Sequence, residues 1–67
     1  MNANDKRNAA AKRGALEMLQ AFGDSHRVAA ECLANRDAAP TREERMYWDA
    51  AGFYAYVDFA RVYTRVY

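Results

Sequence analysis

From Arg42 to Tyr67 the chain carries its single Trp, all five of its Tyr and two of its three Phe. This stretch reads as one helix with more apolar surface than a 67-residue monomer can cover. Pro40-Thr41-Arg42-Glu43-Glu44 marks its start. Thr41 is a favourable N-cap, and Glu44 three residues on completes a capping box. Glu43 and Glu44 set negative charge against the positive end of the helix dipole. Pro40 stops a preceding helix and pushes Ala39 toward extended backbone. No Pro follows and Gly52 is the only Gly, so a helix is predicted over about 42–66.

Placed at about 100° per residue, the apolar side chains of this helix fall into two stripes. Met46, Ala50, Phe53, Val57 and Ala60 form the first. Trp48, Ala55, Phe59, Val62 and Val66 form the second, nearly opposite. A seam of Arg45, Asp49, Tyr56, Tyr63 and Tyr67 runs between them on one side, and Tyr47, Tyr54, Asp58, Arg61 and Arg65 lie on the other. A surface helix needs one apolar stripe, and a helix apolar most of the way round is normally buried. One stripe suits the chain's own first half; the other requires a second copy or a foreign partner.

The first half is also helical, free of Pro over 5–35 and rich in Ala, the best helix former. Ala11, Ala15, Met18, Phe22, Ala29 and Leu33 make one apolar face. Lys6, Arg13, Glu17, Gln20, Arg27, Glu31 and Asn35 lie across from it. Phe22-Gly23-Asp24-Ser25-His26 has the residues of a helix end and a new cap, but the apolar phase passes through it without slipping. The expectation is one helix over about 5–35, bent near Gly23; a break there, giving three helices, is the alternative. A loop over 36–41 then joins the two halves as an antiparallel helical hairpin.

A chain of 67 residues is one domain, 1–67, near the lower limit for a self-sufficient core. Cys32 and His26 are the only residues of their kinds, so neither an internal disulfide nor a clustered metal site reinforces it. Association remains, and a homodimer resembling a four-helix bundle is the simplest closed arrangement. Met46, Trp48, Phe53, Val57, Phe59 and Val62 are the expected core or dimer residues.

Chemistry of its own is not expected. A hydrolytic triad needs a nucleophile, a base and an orienting group. His26 and Cys32 are six residues apart and point in different directions on a helix. His26 reads as a partly buried residue near the bend and Cys32 as a small packing residue. Glu17, Asp24 and Glu31 recur at seven residues and read as solvated carboxylates near Arg13 and Arg27. No Gly-rich phosphate loop occurs, so neither an enzyme nor a cofactor is expected.

Binding is the expected mode of action. Tyr and Trp concentrate binding energy because they offer large area, a polar tip and few rotamers to freeze. Arg45, Asp49, Tyr56, Tyr63 and Tyr67 are therefore the candidate partner-binding residues, with packing inside a homodimer as the ordinary explanation of the tyrosines. The ordinary explanation of Asp49 is an i,i+4 pair with Arg45; the functional one is an interface charge that selects a basic partner.

Net charge is +1, from ten basic and nine acidic residues, which marks neither a nucleic-acid binder nor an acidic mimic of one. A dimeric hairpin of this length nonetheless resembles the Rop type of RNA-binding bundle in architecture. That alternative would gather Arg7, Lys12, Arg13, Arg61 and Arg65 on one face, with Tyr47 and Tyr54 to stack on unpaired bases. A structural subunit of a larger assembly is a further alternative. The longest apolar run, Ala50 to Val57, is too short to span a bilayer, and no apolar signal region opens the chain. One free Cys fits a reducing cytoplasm. Fifteen Ala, eight Arg and no Ile are what GC-rich codons write into a helix. In size and style the chain is similar to small phage and mobile-element proteins, anti-CRISPR inhibitors among them, which act in the host cytoplasm; no motif carries that likeness. The expected function is stoichiometric action on a protein target.

Overall fold

Helix α1 spans Ala3–Phe22, α2 spans Ser25–Ala38 and α3 spans Arg42–Phe53, continuing into a π-helical segment at Tyr54–Phe59. The computed structural model describes residues 3–59, with the side chains of 3–57. No strand occurs among the described residues, and the fold is all-α.

The bend expected inside one long first helix is a complete break, and the three-helix alternative is the one adopted. Gly23 takes φ 74°, in the left-handed region that favours glycine. Its N–H donates to the Leu19 carbonyl at 2.7 Å, closing α1 with a left-handed cap. Asp24 then turns extended at φ −144°, and its Oδ1 accepts the His26 N–H at 2.9 Å. One glycine and one carboxylate thus satisfy backbone groups that two helix ends would leave unpaired. Asp24 is a cap rather than one of three carboxylates in a helical row.

Helix α2 runs through Ala38, so the second turn is shorter than the expected loop over 36–41. The start of α3 is as read from the sequence, but of the expected capping box only the Thr41 half forms, with no bond from the Thr41 N–H to the Glu44 carboxylate. Thr41 Oγ1 accepts the Glu44 N–H at 3.1 Å, and Thr41 O accepts the Arg45 N–H at 3.0 Å.

Helices α2 and α3 form an antiparallel hairpin. Arg36 meets Asp49 near the turn, and His26 lies edge-on to Tyr56 at the far end. Because the chain reverses at Gly23, α1 runs in the same sense as α3. Arg7 meets Glu43 and Met46, and Lys12 meets Tyr54 farther along both helices.

The core is made of small side chains: Ala11, Ala15, Leu19, Val28, Ala29, Cys32, Ala51 and Ala55, with Met18, Tyr47, Trp48, Ala50 and Tyr54 packed around it. Among the described residues Val28 and Cys32 are the largest side chains wholly buried. Small residues let helix backbones approach. A Cβ at Gly52 would sit 3.4 Å from the Cys32 Cβ, and one at Gly14 would collide with the Tyr47 hydroxyl. Two residues assigned to the first-half core, Phe22 at the end of α1 and Leu33 on α2, are exposed, and α2 presents Val28 and Cys32 to the core instead. His26, read as partly buried, is exposed, while its neighbour Ser25 is buried.

Candidate functional site

Residues 42, 45, 46, 49 and 53 recur every three or four positions and so lie along one side of α3, and Tyr56 and Val57 of its π-helical continuation line the same groove as Asp49 and Phe53. This side joins the first apolar stripe to the Arg45–Asp49–Tyr56 seam. Phe53 is 57% exposed and Tyr56 62%, and Val57 and the α2 residue Leu33 are exposed beside them. Between the helices runs a groove of about 410 Å³, lined by Ala29, Leu33, Asp49, Gly52, Phe53, Tyr56 and Val57. Its shape follows from the sequence. Ala29 and Gly52 have little or no side chain and form the floor, while Leu33, Phe53 and Tyr56 stand up as walls.

Phe53 also borders a second hollow of about 370 Å³, on its other flank, shared with Arg7, Asn8, Met46, Ala50 and Tyr54. A third, of about 360 Å³, lies toward the α2–α3 turn among Arg36, Asp37, Arg42, Arg45, Met46 and Asp49. Asp49 borders all three.

The electrostatics centre on Arg36. Its Nη1 donates to Asp49 Oδ1 at 2.9 Å, and its Nε lies 3.5 Å from Asp37 Oδ1. The hydrogen bond to Asp49, with the charge of Asp37 adding to it, holds the guanidinium pKa above its ordinary value despite partial desolvation. The i,i+4 pair expected between Asp49 and Arg45 does not form. Arg45 turns back to donate to the Ala39 carbonyl at 3.4 Å, and the carboxylate is taken by the helix across the turn.

The structure divides the sequence-derived residues. Phe53 and Val57 face outward, Met46 is half-buried, and Trp48 packs against the core beside Tyr47 at a ring-centroid distance of 5.0 Å. Of the candidate binding seam, Arg45, Asp49 and Tyr56 lie on the α3 face described here; Tyr63 and Tyr67 lie outside the described residues. The side chain of Phe59, and Ala60, Arg61, Val62, Arg65 and Val66, likewise lie outside them. Trp48 and Ala55 of the second stripe turn inward, so within the described residues the second stripe packs on the chain's own helices and Phe53 and Val57 of the first face outward.

Of the basic cluster of the RNA-binding alternative, Arg7, Lys12 and Arg13 lie within the described residues, and Arg61 and Arg65 lie outside them. Arg7 is largely withdrawn from solvent, with 14% of its side chain exposed, and its Nη1 meets Glu43 at 3.4 Å and Met46 Sδ at 3.9 Å. Its Nε is buried without a partner, as is Ser25 Oγ. The break at Gly23 makes α1 and α3 parallel, so Arg7 lies beside the start of α3 and Lys12 beside its far end. Lys12 sits over the Tyr54 ring, 5.6 Å from its centroid, and Arg13 is exposed.

Leu33, Arg36 and Arg42 belong to the face but were not singled out from the sequence. Leu33 carried the ordinary signature of a core residue, and Arg36 is paired through the hairpin register, which no local pattern encodes. Burial raises the Cys32 thiol pKa, and the nearby Glu31 charge raises it further, which disfavours the nucleophilic thiolate. Among the described residues no group of three or more His, Cys, Asp or Glu is placed to hold a metal ion, and no helix is long and apolar enough to cross a membrane. No protein-family model, characterised protein or solved structure matches the chain.

Proposed function

We propose that this protein is a non-catalytic interaction module that acts stoichiometrically on a protein target, blocking or adapting it through the α2–α3 face. The observation that carries this reading is Phe53. A Phe side chain more than half exposed, flanked by Tyr56, Val57 and Leu33 and set between two hollows, leaves apolar area in water that a partner would cover. The surroundings are those of a binding hot spot, with aromatic anchors in the middle and a charged rim of Arg36, Asp49 and Arg45. A small inhibitor encoded by a phage or mobile element, acting on a host system, is the setting that this profile suits.

The test is capture from a bacterial lysate, with and without nuclease treatment, with the wild-type chain and Phe53→Asp in parallel. A protein retained by the first and lost by the second is the expected result. Identical sets on both, or nucleic acid as the sole co-purifying species without nuclease, would overturn the reading.

A further inference from the structure

The cationic hollow at the α2–α3 turn and the apolar groove are consecutive parts of one face, with Asp49 bordering both. Charge is unevenly used along it. Both carboxylates of the hollow, Asp37 and Asp49, are held by Arg36. Arg42 and Arg45 therefore make no ion pair among the described residues. The acidic residues of the first turn of α3 lie on its other side: Glu43 and Glu44 line a hollow with Lys6, Arg7 and Tyr47. Among the described residues the face thus ends at the turn in two guanidinium groups without an ion pair, Arg45 donating only to the Ala39 carbonyl, and is apolar from Phe53 to Val57.

Resting on the reading of this face as a protein-binding site, we infer that it takes an amphipathic α-helix of a partner protein. That helix seats apolar side chains at i, i+3 or i+4, and i+7 along the groove past Phe53, and sets an Asp or Glu against Arg42 and Arg45. Three observations select this occupant. The path from Arg42 to Val57 covers fifteen residue-to-residue steps, on the order of 22 Å at the helical rise, which accommodates about four turns of a guest helix. The groove is apolar and lies between two helices, the setting of the helix-in-groove mode, and no sheet edge exists among the described residues for strand addition. A second copy packed face to face would bring Arg42 and Arg45 against a surface whose carboxylates Arg36 already holds, whereas a foreign helix supplies a free one.

The experiment is selection of displayed helical peptides, randomised among Leu, Phe, Ala, Glu and Lys on one face, against the immobilised full chain. Enriched sequences should carry the apolar spacing with an acidic residue within a turn of one end. By fluorescence polarisation, replacing that acid with Lys should weaken binding at least ten-fold. The Arg42→Glu, Arg45→Glu double variant should reverse the preference; both positions are exposed, and circular dichroism verifies that the variant is folded. Enrichment without charge preference, equal affinity of acidic and Lys peptides, or no enrichment would each overturn the inference. So would a doubled mass in light scattering that Phe53→Asp abolishes, which assigns the face to a second copy. A Phe53-dependent protein captured from lysate alongside a failed peptide selection overturns the helix-and-acid rule alone; absence of any such protein overturns the proposed function itself.

Discussion

Two residues show how much a single side chain decides in a core this thin. Alanine is a better helix former than glycine by roughly 0.5–1 kcal/mol, so Gly14→Ala would stabilise an isolated α1. Here the added Cβ meets the Tyr47 hydroxyl, and displacing that ring costs about 1–3 kcal/mol as overpacking. We expect a net loss of stability in thermal melts, smaller when Tyr47→Phe removes the colliding oxygen; a stabilised single variant would refute the contact. Cys32 makes a prediction about pH. Its folded pKa is raised above the ordinary 9.0 by burial, then by Glu31, so the folded state holds the thiol proton more tightly than the unfolded state. Stability from this group is complete below the unfolded value and declines as pH rises through the folded one. Urea midpoints should therefore drop between neutral pH and about pH 10. Cys32→Ala should show a shallower drop, whatever its own stability; equal slopes would remove Cys32 as a cause.

At the scale of elements, the junction between α1 and α2 carries the fold. Gly23→Ala forces a Cβ into the left-handed region and should cost about 1–2 kcal/mol. Asp24→Ala removes the acceptor for the His26 N–H and should cost about 0.5–2 kcal/mol. Chemical denaturation of both variants checks this, and loss of neither cap mattering would mean that α1 and α2 do not need the break. The π-helical segment at Tyr54–Phe59 has the complementary effect on α3. Its wider turn changes the angular step between side chains, so stripes drawn at a constant α-helical step lose their phase beyond Phe53.

For the molecule as a whole, burial separates stability from binding. Full burial would make Phe53→Ala cost about 3–5 kcal/mol. With Phe53 more than half exposed, Phe53→Asp should leave unfolding within about 1 kcal/mol of wild type while removing partner capture. Concurrent collapse of the fold in urea would return Phe53 to the core and detach it from the binding face. The elements themselves were legible from the chain. The Thr41 cap, the start of α3 and the helical character of both halves rest on interactions a few residues apart, which local sequence encodes. The excess of apolar surface on the aromatic helix was legible too, since it follows from counting side chains around one axis. Tertiary packing determined the rest. Phe22-Gly23-Asp24 holds the residues for a break, but its apolar phase also permits a continuous helix, and the choice turned on what α1 could pack against after reversing. Two stripes of similar hydrophobicity gave no means of telling inside from outside; Ala51, Gly52 and Ala55 go inward because only small residues let α3 approach Ala29 and Cys32. Asp49 binds Arg36 rather than Arg45 because the hairpin register brings the two within 2.9 Å, a juxtaposition that exists only once two helices share an interface.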